Sequence, residues 1–171
     1  LANPKIASLL KRANVCDAIA APEEKPSKGH LVLSVGDLPR LLGMKHAGEI
    51  LPPLQIAPLP EKLAEMRARL MALGPPPYLG VTWRGGTKLK KNVLYKEAPL
   101  VAMAQTLREI PATVLVLQRQ PAIGEVTAFA QALGHPVHDL SALNDNLEFM
   151  LALLSLIDEY VGVSNTNMHL R

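Results

Sequence analysis

The residues best suited to chemistry lie between positions 82 and 96. Thr82-Trp83-Arg84-Gly85-Gly86-Thr87-Lys88 is followed by Lys90, Lys91 and Lys96, with no acidic residue between Arg84 and Lys96. Two adjacent glycines lack the Cβ that keeps a backbone away from a ligand. Exposed N–H groups beside several cations suit a phosphate or a diphosphate. The spacing is neither that of a Walker loop nor that of a G-x-G-x-x-G turn. A glycine turn leading into a solvated basic loop is therefore the plain alternative.

A second anion signal is Ser164-Asn165-Thr166-Asn167. Asn, Ser and Thr cap helices, and a helix start presents free amides. His169 lies one turn inside and can donate to a ligand oxygen, although a lone histidine is commonly structural. A third group, Gln118-Arg119-Gln120, follows an apolar run. Asp139, Asn144, Asp145 and Asn146 form a polar cluster that can cap a helix or meet a base or ribose. His135 and His138 lack companions at metal-ligand spacing, so no metal is expected. No G-x-S-x-G elbow or catalytic cysteine arrangement occurs, and no acid–base group can be singled out.

The surrounding elements must place these groups. Asn3-Pro4 reads as a helix start, with Ile6, Leu9, Leu10 and Ala13 on one face. Val15 to Ala21 reads as a short strand and Pro22 to His30 as a loop. A short helix is expected around Asp37 to Met44, with Asp37 as its cap. Gly48 to Pro60, with Pro52, Pro53, Pro58 and Pro60, reads as an extended connector. From Glu61 a helical stripe runs through Leu63, Met66, Leu70 and Leu73, ended by Gly74 and three prolines.

Strand and helix then alternate. Strands are expected at Tyr78–Trp83, Thr113–Gln118, Pro136–Leu140 and Tyr160–Val163. Helices are expected at Ala98–Ile110, Ile123–Leu133 and Leu147–Ile157, with another beginning near Asn165. This pattern predicts an α/β fold: a Rossmann-like, doubly wound parallel sheet. Ligands of such sheets bind beyond the carboxyl ends of the strands, which brings the three loops to one edge.

Composition narrows the class. The chain has 171 residues, 49% hydrophobic and 19% charged, which is a globular rather than a disordered balance. Aromatics at 4% and a net charge of only +3 argue against a nucleic-acid partner. Cys16 is the single cysteine, so no internal disulfide forms; it is expected as a buried thiol in a reducing compartment. The apolar stretch from Leu147 is too short to span a bilayer, so no transmembrane segment and a cytoplasmic location are expected. The opening segment reads as a helix inside a longer protein, and the chain stops a few residues into its last helix, as a fragment would.

The strings YLGVTWRGGTK, YKEAPL, VLVLQRQP, GEVTAFAQALGHPVHDLSALNDN and DEYVGVSNTNMHL, in that order, resemble glycosyltransferase family nine. These are the ADP-heptose:lipopolysaccharide heptosyltransferases. The likeness is closer to the transferase-like domains at the ends of tetratricopeptide-repeat proteins, and covers most of residues 59–171. It implies the C-terminal half of a GT-B fold, in which two Rossmann-like domains face each other. Residues 1–58 would then be the end of the N-terminal domain with its connector, and residues 59–171 a truncated nucleotide-sugar-binding domain.

The resemblance implies that Thr82, Trp83, Arg84, Gly85, Gly86, Thr87 and Lys88 face the donor phosphates. Ser164, Asn165, Thr166 and His169 would lie near those phosphates, and Gln118, Asn144, Asp145 and Asn146 by the nucleotide. His169 matches the histidine of the family's Asp-Thr-Gly-x-x-His string; Ser164, Asn165 and Thr166 differ from its first three residues. The implied function is transfer from a nucleotide-diphosphate sugar to a glycan or protein acceptor, with no cofactor beyond that donor. The catalytic base would come from the N-terminal domain, ahead of Leu1, so this chain alone should not transfer sugar. The alternative is a non-catalytic binding or scaffolding module of a tetratricopeptide-repeat protein. An unrelated Rossmann-type nucleotide binder is a third reading.

Overall fold

The computed structural model describes residues 4–20, 23–25, 28–29, 31–49, 52–85 and 96–171. The chain divides into two compact units, Leu1–Ile56 and Ala57–Arg171.

In the first unit, helix α1 spans Pro4–Ala13 and helix α2 spans Leu38–Leu41, with 3-10 turns at Val35–Asp37 and Ala47–Glu49. Leu9 is buried within the predicted face of α1. The strand expected from Val15 does not form over residues 15–20, and Cys16 is exposed rather than buried. The run VCDAIA is apolar enough for a strand but finds no ladder partner among the described residues, and strand propensity acts only through cross-strand neighbours. Asp37 stands at the cap position of α2, yet its side chain makes no capping bond.

The second unit carries the parallel sheet. Helix α3 (Pro60–Leu73) leads to strand β1 (Tyr78–Thr82). A two-stranded hairpin follows, β2 (Arg84–Gly85) with β3 (Lys96–Glu97) antiparallel, and was not foreseen. Then come α4 (Leu100–Leu107), β4 (Thr113–Val116), α5 (Glu125–Leu133), β5 (His138–Asp139), a 3-10 turn at Ser141–Asp145, α6 (Leu147–Leu154), β6 (Glu159–Gly162) and α7 (Thr166–Leu170). The four main strands lie in the order β5-β4-β1-β6, all parallel.

Side chains alternate across this sheet with the two-residue period of a strand. Tyr78, Leu115 and Leu117 join Met66 and Leu70 of α3 and Met150, Leu153 and Leu154 of α6 on one face. Leu79, Val81, Val114 and Val116 join Ala104 and Leu107 of α4 and Phe129 and Leu133 of α5 on the other. Helices therefore cover both faces, as a parallel sheet requires. Met150 to Leu154 are buried around the whole circumference of α6, which marks it as an interior helix. Asn146 caps that helix by accepting the Phe149 N–H. Gly134 closes α5 at φ 90°, and this left-handed stop is why the predicted end at Leu133 is sharp.

Candidate ligand edge of the sheet

From β1 the chain adds strands outward in one direction, through β4 to β5. It then returns to place β6 on the opposite side of β1. The order thus reverses between β1 and β6, and in open α/β sheets the ligand crevice lies beyond such a reversal. The loops after β1 and β6 meet there. An added Cβ on Gly85 would lie 2.7 Å from the Ser164 carbonyl oxygen and 3.4 Å from the Asn165 Cβ, so only glycine permits this approach.

Beneath that contact the two strands are joined by a closed ring of hydrogen bonds. Tyr160 Oη donates to Asn165 Oδ1 at 2.9 Å, and Asn165 Nδ2 donates to Thr82 Oγ1 at 2.9 Å. Tyr160 has only one hydroxyl proton and has used it, so Thr82 donates to Tyr160 across 2.8 Å. The Asn165 amide orientation follows from its cap role, because Oδ1 also accepts the Met168 N–H at 3.1 Å. Burial pushes the Tyr160 phenol above its ordinary pKa, while the bonds to Thr82 and Asn165 hold it back.

The other predicted polar residues also brace loops. Gln118, almost fully buried, accepts the N–H groups of Trp83 and Arg84 at 3.0 and 2.9 Å and donates to the Arg119 carbonyl. Asn144 donates to the Leu117 and Ser141 carbonyls at 3.0 and 2.8 Å. Its Oδ1 accepts from Asn167 Nδ2 at 3.1 Å. Asn167 is 4% exposed and was not foreseen as a buried brace; its partner is distant in sequence and no local pattern marks it. Carboxamides suit this work because each offers both donors and acceptors to a backbone that has left its ladder.

Arg84 is engaged too. Its Nη1 meets the Glu125 carboxylate, and its Nη2 donates to the Gln120 carbonyl at 3.0 Å. Glu125 also accepts the Ala122 N–H at 2.7 Å. The Arg84 guanidinium, chiefly by hydrogen bonding, holds the Glu125 carboxyl below its ordinary pKa against the opposing effect of burial. A depressed folded-state pKa adds stability that is present above the unfolded value and lost as pH falls through the folded one. The stability advantage of wild type over Glu125→Gln should therefore shrink as urea melts are taken from neutral pH to below about pH 4. An advantage independent of pH would remove the ion pair from the account.

His169 Nε2 lies 3.2 Å from Ser164 Oγ, and both are accessible. Thr166 and Asp145 are exposed. Gly86, Thr87 and Lys88 lie outside the described residues. The structure thus brings Thr82, Trp83, Arg84, Gly85, Gln118, Ser164 and Asn165 together at one edge. Asn144 reaches that edge through the Leu117 carbonyl, whereas Asn146 is spent on capping α6.

A groove of about 510 Å³ opens elsewhere, lined by Leu154, Ser155, Ile157, Tyr160, Met168 and Arg171. It contains none of the predicted site residues. Its lining comes from α6, α7 and the start of β6 rather than from the loops after the strands, so the switch point is the better-founded candidate. Among the described residues no three His, Cys, Asp or Glu side chains converge, and no helix is long and apolar enough to cross a membrane. Comparison with known proteins finds no matching family model, no matching curated protein and no matching solved structure.

Proposed function

We propose that the unit Ala57–Arg171 binds a nucleotide-diphosphate sugar at the carboxyl edge of its sheet, as the donor half of a GT-B glycosyltransferase acting on a glycan or protein acceptor. The reading rests on one observation above others: the strand order reverses between β1 and β6, where Gly85 brings the loop after β1 against Ser164 and Asn165. A diphosphate leaving group would be stabilised there by fixed N–H groups, by His169 and by the lysines following Gly86. We place the protein in the cytoplasm on the strength of its lone, free cysteine.

A second reading, a binding module without catalysis, is favoured by a different observation. Gln118, Asn144 and Asn165 direct their carboxamides at backbone groups and at one another's neighbours, which is loop bracing rather than chemistry.

Titration with UDP, ADP and GDP sugars tests the donor site, and the single Trp83 supplies a fluorescence signal beside it. One nucleotide class should bind. Lys88→Ala and His169→Ala should each weaken that binding about tenfold, the scale of one charge-assisted hydrogen bond. No binding by any of the panel would sink the reading. Binding without transfer or hydrolysis of the sugar would favour the second.

A further inference from the structure

The outer part of the loop between β4 and α5, residues 119–124, has little of its own to hold it. Arg119, Gln120, Ala122, Ile123 and Gly124 are exposed, Ile123 completely so. Gln120 and Gly124 both have positive φ, at 46° and 83°, and a left-handed glutamine persists only where its surroundings impose it. No apolar burial does so here. What spans the loop is polar: Arg84 on β2 reaches the Gln120 carbonyl and the Glu125 carboxylate, while Glu125 holds the Ala122 N–H. At the loop's start Gln118 grips the Trp83 and Arg84 amides.

We propose that Arg84 and Glu125 are a positioning pair that locks the loop after β4 onto the loop after β1, so that Arg84 shapes the ligand edge without touching the bound anion. This rests on the anion-binding reading of that edge. A guanidinium already bonded to a carboxylate and a carbonyl is neutralised, and contact with a phosphate would require it to abandon both. Anion contact then falls to other groups of the edge, and Arg84 acts through the backbone it fixes.

The test uses the full chain, with inorganic diphosphate as probe and amide hydrogen exchange as a second readout. Arg84→Ala and Glu125→Ala should each raise the diphosphate Kd about tenfold, and the double variant should be no worse than either alone, because both break one unit. Arg84→Lys keeps the charge but loses the fork, and should weaken binding as Arg84→Ala does. Exchange protection at the Ala122 amide should fall in all of them. Loss of binding in Arg84→Ala with tighter binding in Glu125→Ala would overturn the proposal, since a released Arg84 would then be the anion contact. Wild-type binding retained by Arg84→Lys would overturn it in the same way. If wild type binds no diphosphate, the donor-site reading fails, and exchange alone decides the pair. Unchanged protection at Ala122 in Arg84→Ala refutes it, and lost protection supports the lock.

Discussion

Gly162→Ala is expected to destabilise the protein by about 3 kcal/mol, the upper end of what overpacking costs. Gly162 pairs with Thr82 in the parallel register of β6 on β1. A Cβ there would lie 2.3 Å from Thr82 Oγ1 and 2.5 Å from the Thr82 carbonyl oxygen. A side-chain oxygen can rotate away; a strand carbonyl cannot. Relief therefore requires the two strands to part, at the point where the Thr82–Tyr160–Asn165 ring joins them. Urea melts measure the loss, and the double variant with Thr82→Ala separates its causes. Removing the hydroxyl leaves the carbonyl clash, so Thr82→Ala should restore little. Full restoration would mean that the hydroxyl alone was in the way and that the strand spacing had room to spare.

The pattern that made this sheet legible was the change from a helical period to short β-branched runs after residue 77. YLGVT and TVLV are apolar on both sides, as strands covered by helices on both faces must be, and both form strands. The same rule misled over residues 15–20 of the strand expected at Val15 to Ala21. The apolar run there meets no partner strand among the described residues, and nothing local in VCDAIA reports whether a partner exists. The β2–β3 pair was hidden for the opposite reason: the described part of each strand is two residues, Arg84–Gly85 and Lys96–Glu97, and two residues carry no period.

At the ligand edge, residue type was readable and residue duty was not. Gln118 and Asn144 stood out as polar groups beside apolar strands, yet apart from local bonds to the Arg119 and Ser141 carbonyls their partners lie at positions 83, 84, 117 and 167, set by the fold and not by spacing. Glu125 escaped notice because a glutamate in the first turn of a helix is fully explained by that position. Its partner Arg84 is distant in the chain, and a basic cluster counted along the sequence cannot register a carboxylate that arrives from another loop. Asn165 was identifiable as a cap and is one. Its bonds to Thr82 and Tyr160 depend on β6 lying beside β1, which only the topology reveals.

Trp83→Ala should cost about 3–5 kcal/mol, the range for emptying a buried aromatic site. Trp83 is 1% exposed and stacks on Phe129 with ring centroids 5.4 Å apart and planes at 18°. It fills the same cluster as Leu79, Val81, Ala104 and Leu107. The cavity would open at the residue whose N–H Gln118 holds beside that of Arg84, so the ligand edge loses support as well as the core its packing. Yet the indole brings a burden of its own. Nε1 is buried and makes no hydrogen bond of good geometry among the described residues, and an unsatisfied buried donor costs about 1–3 kcal/mol. The acceptor nearest to serving it is the Glu125 carboxylate, whose pKa a weak hydrogen bond from Trp83 helps to lower, as the smallest of the causes acting there. Trp83→Phe removes that donor while retaining a ring against Phe129, and should fall within about 1.5 kcal/mol of wild type. The two variants thus separate packing from polarity in melts followed by circular dichroism, which needs no tryptophan. A phenylalanine as damaging as alanine would show that the indole N–H has an acceptor in solution. Glu125 would then be held by a second side chain besides that of Arg84, and the lock on the loop after β4 would extend into the core.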